Sequence, residues 1–212
     1  MAMKGKRVRS AVIARRTNEV NITGRFSIDG QGKTKISTGF EPLNHLLDVC
    51  AFHGLFDLTL QARGDLAHHI IEDIGIALGK ALKQALSDKK GLNRYGCFTA
   101  VMDKVAVEVA LDISGRPSLT GKILKDDEHV RDLFKDETFD NTVFTFKHAT
   151  EFLESFLQHA GISLVYLIKS GEGDLHHILE ALFKAMGKSL DQATQIDARR
   201  RGVPSTKGII DS

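Results

Sequence analysis

The feature that most constrains what this chain can fold into is a repeat. Gly64-Asp65-Leu66-Ala67-His68-His69-Ile70-Ile71-Glu72 recurs as Gly173-Asp174-Leu175-His176-His177-Ile178-Leu179-Glu180. Both copies carry His-His-x-x-Glu and run on into an apolar helical pattern. With nine His in 212 residues, shuffling would produce roughly 0.02 copies of that motif, and two are present. At about 100° per residue on an α-helix, Glu72 falls angularly between His68 and His69, one turn further on. Two imidazoles and a carboxylate therefore leave the same helix end. That donor set suits Zn, Mn or Fe better than Ca or Mg, which prefer all-oxygen shells. Adjacent histidines diverge, so each is expected to serve a different ion. The alternative for one copy alone is a surface histidine pair with a solvated Glu; two copies in matching contexts favour ligands.

The contexts match beyond the motif. Each half reads as helix, then a His-Gly or His-Ala-Gly turn (His53-Gly54; His159-Ala160-Gly161), strand, Gly-Asp loop and motif helix. Two copies make an internal duplication, not a solenoid. In the first half, Val20, Ile22, Phe26 and Ile28 alternate with polar residues as a half-buried strand paired with about 7–17. A short strand follows at 33–37, then a helix at 43–52 ended by Gly54, a strand at 56–60 and the first motif helix to Leu86. In the second half, Val105, Val107, Val109, Leu111 and Ile113 alternate strictly. Residues 119–141 are charged and poorly periodic and read as a loop. A helix at 146–159, a strand at 162–168 and the second motif helix to about Ile196 complete the chain. The expected fold is α+β: two duplicated halves, each a mixed or antiparallel sheet of about four strands with two helices on one face. The halves pack helix layer to helix layer. The expected division is 1–92, 93–196 and a C-terminal tail, 197–212.

Composition excludes some classes. A net charge of +2 argues against a dedicated nucleic-acid binder despite Arg199-Arg200-Arg201. No apolar run approaches the ~20 residues needed to span a bilayer, and the basic start lacks the apolar segment of a signal peptide. Cys50 and Cys97 form no Cys-x-x-Cys and read as two reduced core thiols of a cytosolic protein.

The ordered landmarks resemble one family. Gly64-Asp65-Leu66 with the run His68 to Gly79 is similar to the first signature of imidazoleglycerol-phosphate dehydratases, and His176 to Ala185 to the second. Arg15-Arg16-Thr17-Asn18-Glu19, Arg94-Tyr95-Gly96, Met102-Asp103, the run Asp112 to Pro117 and the tail Pro204-Ser205-Thr206-Lys207-Gly208 occur in the family's order. The resemblance implies a lyase of histidine biosynthesis that dehydrates imidazole glycerol phosphate to imidazole acetol phosphate. It implies two Mn ions per site, with the substrate's ring held as imidazolate between them, and 24 subunits with active sites between chains. The implied partners are a small phosphorylated substrate and further copies of the chain, with neither nucleic acid nor membrane. Implied metal ligands are His45, His68, His69, Glu72, His176, His177 and Glu180. Glu19 and Asp103, with His68 and His176, are the implied catalytic groups; Arg94, Arg116, Lys184, Ser205 and Lys207 are the implied phosphate holders.

The chain departs from the pattern in four places. Only Ala67 separates Gly-Asp-Leu from His-His, where the family has a longer run. Pro42-Leu43-Asn44 precedes His45, Val49 stands for a glutamine, and Val165 stands where a metal-binding His is expected. One metal shell is then short of a ligand, to be filled by water, His159 or His53. Two other functions stay open: a weakened paralogue that keeps metal-driven assembly, and a related lyase acting on another phosphorylated substrate.

Overall fold

The strand at Val105–Asp112 shows how the sheets are built. Its apolar positions Val105, Val107, Val109 and Leu111 are buried while the residues between them are not, as a period of two requires of a strand with one covered face. The computed structural model describes residues 8–124 and 128–210.

In chain order the elements are β1 (Ser10–Arg16), β2 (Val20–Ser27), β3 (Thr34–Ser37), α1 (Glu41–Gly54), β4 (Asp57–Gly64) and α2 (Ala67–Leu86), then β5 (Tyr95–Met102), β6 (Val105–Asp112) and β7 (Ser118–Ile123). They continue with α3 (Glu128–Asp136), a 3₁₀ turn (Phe139–Asn141), α4 (Phe146–Ala160), β8 (Ser163–Gly171) and α5 (Leu175–Thr194). The sheet orders are β1-β2-β4-β3 and β5-β6-β8-β7. In each, the first three neighbours are antiparallel and the last strand runs parallel to its partner. The duplication therefore extends to strand order and direction, and the expected α+β class with four strands per sheet holds.

The region 119–141 is more ordered than its charge pattern suggests. β7 closes the second sheet, α3 follows, and the 3₁₀ turn leads to α4; residues 125–127, and Arg7 in the first strand's expected span, lie outside the described residues. β7 escapes a periodicity reading because it is an edge strand with little buried side-chain surface. The first helix also ends differently from expectation: Leu55, not Gly54, adopts the left-handed cap, at φ 56°. Gly161 does the same for α4. Leucine there strains the backbone by about 1 kcal/mol.

The helices of the two halves pack on one another, α2 against α4 and α1 against α5, while α2 covers β1 and β2 and α5 covers β5 and β6. The two helix pairs touch at equivalent points. A Cβ on Gly187 of α5 would lie 2.3 Å from the Cys50 carbonyl oxygen of α1, and one on Gly79 of α2 would lie 2.5 Å from that of Phe156 on α4. Neither can be accommodated without moving backbone. Around these contacts lies one continuous core including Leu46, Ile74, Phe152 and Phe183. Cys50 lies in the core as expected, and burial pushes its thiol up to about 12; Cys97, expected there too, is exposed on β5 because it falls on the strand face turned away from the helices. Gly79→Ala and Gly187→Ala are each expected to destabilise the protein by about 1–3 kcal/mol despite alanine's better helix propensity. Chemical denaturation at fixed protein concentration checks this.

Candidate metal centre

The second motif helix starts at Asp174, whose carboxylate accepts the His177 backbone N–H at 2.9 Å and caps the helix. That start aims His176 and His177 out of the same turn, with Glu180 one turn along. α1, lying alongside, brings His45 to them. His45 Nε2 and His176 Nε2 each lie 2.9 Å from the same Glu180 oxygen. Among the described residues, His45, His176 and Glu180 are the one group whose three donor atoms fall within 4.8 Å of one another.

The electrostatics of this cluster suit a cation. Lys184 donates to the other Glu180 oxygen at 2.7 Å. Burial opposes ionisation of Glu180, but hydrogen bonds from Lys184, His45 and His176 outweigh it and hold the carboxyl at about 2. Burial likewise works against a charged His176. Its ring is nevertheless bracketed by Asp140 Oδ2 at 2.8 Å on Nδ1 and by Glu180 on Nε2, so its pKa is raised. A ring between two carboxylates donates from both nitrogens. The protons on His176 and Lys184 thus supply the positive charge that a metal ion would supply at the same point, so these residues fit a divalent cation.

Carboxylates orient three of the four motif imidazoles. Asp65 takes His69 Nδ1 at 2.8 Å, Asp174 takes His177 Nδ1 at 2.5 Å and Asp140 takes His176 Nδ1. Fixing Nδ1–H in this way leaves Nε2 as the outward donor, the arrangement that tunes imidazole ligands of metals. Phe139 stacks on the His176 ring at 4.5 Å between centroids. Asp140 and Phe139 lie in the region that reads as a loop, so no periodicity points to them. Asp65 and Asp174 were visible as the repeated Gly-Asp-Leu, a few residues ahead of each His pair.

The first motif is assembled less completely within one chain. His68 is exposed, and its ring meets His69 edge-on at 4.1 Å. Glu72 is also exposed and lines a pocket of about 420 Å³ with Pro117, Ser118, Glu154 and His159. The two hairpin tips deliver the expected acid-base carboxylates to the two histidine pairs. Glu19 Oε2 lies 3.8 Å from His69 Nδ1, and Asp103 Oδ2 lies 3.3 Å from His177 Nε2.

The expected phosphate residues fall into separate places. Arg94 forks onto Asp112 at 2.6 and 3.0 Å and donates to the Pro204 carbonyl at 2.8 Å, which ties the tail bearing Ser205 and Lys207 to the start of β5. Ser205 Oγ accepts the Lys207 N–H within a tail turn. Arg116 is exposed just before β7, beside the pocket that contains Glu72. Lys184 is not grouped with these and faces Glu180. Asp112 lies at the far end of β6 from Val105, which is beside the Asp103 tip, so about 20 Å separates Arg94 from the His177 end of the same half. Val165 is exposed on β8 between buried Leu164 and Tyr166, on the sheet face turned away from the helices. His159 donates from Nδ1 to the Ser155 carbonyl oxygen, 2.9 Å away.

In the metal-free protein, the stabilising effect of Glu180 is fully present above the ordinary carboxyl value of 4.5 and fades as pH falls toward 2. Glu180→Gln is accordingly expected to cost on the order of 2–3 kcal/mol at pH 7, with the two unfolding curves converging only as pH falls to about 2. Urea titrations in the presence of a chelator at several pH values check this.

Comparison with known proteins identifies the family. The imidazoleglycerol-phosphate dehydratase family model matches residues 38–190. The chain is 46% identical over 205 residues to the imidazoleglycerol-phosphate dehydratase of Pelobacter propionicus, covering 95% of this chain and 99% of that one. It is 42% identical to that of Halalkalibacterium halodurans, covering 96% and 100%. Among solved structures, the Staphylococcus aureus enzyme superposes with a TM-score of 0.71 at 31% identity, covering 88% of this chain and 100% of that one. The Pyrococcus furiosus enzyme gives 0.73 at 33% identity, covering 92% and 99%. The chain therefore belongs to the imidazoleglycerol-phosphate dehydratase family, hydro-lyases of histidine biosynthesis.

Proposed function

We propose that the chain dehydrates imidazole glycerol phosphate to imidazole acetol phosphate in the cytoplasm, using two manganese ions per site in a large homo-oligomer of 24 subunits. The observation that carries this reading is the convergence of His45, His176 and Glu180 on one point, together with a repeat that supplies a second His-Glu set. When bound, the ions would supply the Lewis-acid charge that holds the substrate ring as imidazolate and stabilises negative charge developing beside it.

The chain's own groups supply the rest. The reaction needs a proton removed from an unactivated carbon and another delivered to the departing hydroxyl. Glu19 and Asp103 sit at hairpin tips beside imidazoles of the two motifs, and a carboxylate there can move a proton without rearranging the helices. Asp65, Asp140 and Asp174 keep the imidazoles in the ligand tautomer. Arg116 and the tail held by Arg94 present cationic and hydroxyl groups for the phosphate.

A site between chains is supported by the distance that separates Arg94 from the His177 end of its own half. The uncovered faces support assembly as well. On the outer face of the second sheet, Cys97, Ala110 and Val165 stand in register across β5, β6 and β8, with Val101 exposed nearby. Such a small, apolar row suits burial against another copy.

Turnover of imidazole glycerol phosphate with added Mn²⁺, abolished by chelation and restored by Mn²⁺, is the expected result. Glu19→Gln should lower kcat by about 10²–10⁴-fold while bound manganese stays unchanged. A fully assembled, manganese-loaded protein that leaves the substrate intact would count against the reading and in favour of a metal-holding paralogue.

A further inference from the structure

The duplication breaks at one connection. In the first half, residues 38–40 join β3 to α1; at the equivalent place in the second, residues 124–145 join β7 to α4 and carry α3 and the 3₁₀ turn. The added segment is packed, not solvated. Val130, Leu133 and Phe139 are buried, and Phe134 stacks on Phe146 at 3.7 Å between centroids and 9°. It is seated on the loop that opens the second motif. A Cβ on Gly171 would lie 2.3 Å from Val130 Cγ2, His129 Nε2 donates to the Gly173 carbonyl at 3.0 Å, and the Leu175 N–H donates to Glu137 Oε1, 3.4 Å away.

The segment ends on an imidazole of the metal centre. Phe139 stacks on the His176 ring, 4.5 Å between centroids and 17° from parallel, and its ring also lies 6.2 Å from that of His45. Asp140 Oδ2 lies 2.8 Å from His176 Nδ1. It reaches there from a backbone at φ 49° and ψ 42°, a left-handed conformation that persists at a non-glycine residue only where the surroundings impose it. One face and one nitrogen of the His176 ring are thus fixed by neighbours, leaving Nε2 for Glu180 or a cation. Among the described residues, the first motif has no such cover in its own chain, and the difference shows. Leu66 of its Gly-Asp-Leu is 50% exposed and Leu175 0%; Glu72 is exposed and Glu180 buried.

We propose that Phe139 and Asp140 are positioning residues for the reaction. The connection that bears them holds His176 in its ligand orientation before any ion arrives, and it keeps water from one face of the cluster of His45, His176 and Glu180. This rests on the metal-dependent reading above. An imidazole that needs no rotation to meet an ion loses less freedom on binding it, and a drier site strengthens each charge interaction inside it. Neither residue touches the substrate on this account, so their influence falls on metal affinity and turnover, not on substrate affinity.

Equilibrium dialysis against Mn²⁺ and turnover of imidazole glycerol phosphate test this, on variants that a sizing column shows to be assembled. Asp140→Ala is expected to weaken one Mn²⁺ site by about tenfold or more and to lower kcat at fixed Mn²⁺ while KM for the substrate holds. Asp140→Asn, which keeps an acceptor for Nδ1–H, should recover most of that affinity. Phe139→Leu keeps the buried anchor without the flat face and should also weaken the site. In chelated protein, amide hydrogens at 175–178 should exchange faster in Phe139→Leu than in the wild type; unchanged exchange there would contradict the cover. A merely structural segment would lower the midpoint of thermal unfolding in these variants and leave Mn²⁺ affinity at the wild-type value. That result would overturn the proposal with the metal reading intact. A wild type that binds no Mn²⁺ would overturn both.

Discussion

Two helix pairs approach closely enough that only glycine fits at the contact, and the rest of the site depends on that constraint. Gly187 lets α5 sit against the carbonyls of α1, and Gly79 lets α2 sit against those of α4. The approach fixes rotation and sliding of each pair. His45, on one half, can then share a carboxylate oxygen with His176, on the other. The His45, His176 and Glu180 cluster is therefore a product of packing between duplicated halves and not of either motif alone.

This explains what could and could not be read from residues. Strong periodicity made β6 and both motif helices legible, and the repeat made the layered α+β arrangement legible. β7 was missed because an edge strand with little buried surface has no alternation to detect. The partnership of His45 with Glu180 crosses 135 residues, and no local pattern encodes it; family resemblance pointed to His45 without saying what it touches. Asp140 was invisible for a further reason. It acts from a left-handed backbone position, φ 49°, in a segment whose composition looks like solvated loop, and its value lies wholly in where α5 begins.

The same packing gives the halves unequal chemistry. The second-motif cluster is rich in imidazole and is held together by hydrogen bonds to Glu180, with Lys184 completing the charge balance. The first motif is more open, with His68 and Glu72 both exposed. Carboxylates at the two hairpin tips stand beside the imidazoles but outside the helix layer, where they can exchange protons without disturbing it. On the proposed function, stability and reactivity belong to different layers of the fold: the helix interface fixes the imidazoles, and the strand connections carry the carboxylates that would move protons.

Anomalous diffraction at the manganese edge, from crystals of the assembled protein grown with Mn²⁺, tests the central claim most directly. A peak about 2.2 Å from His45 Nε2, His176 Nε2 and a Glu180 oxygen is the predicted result. Well-ordered density for these three side chains, with the ion elsewhere or absent and Lys184 still bound to Glu180, would contradict it.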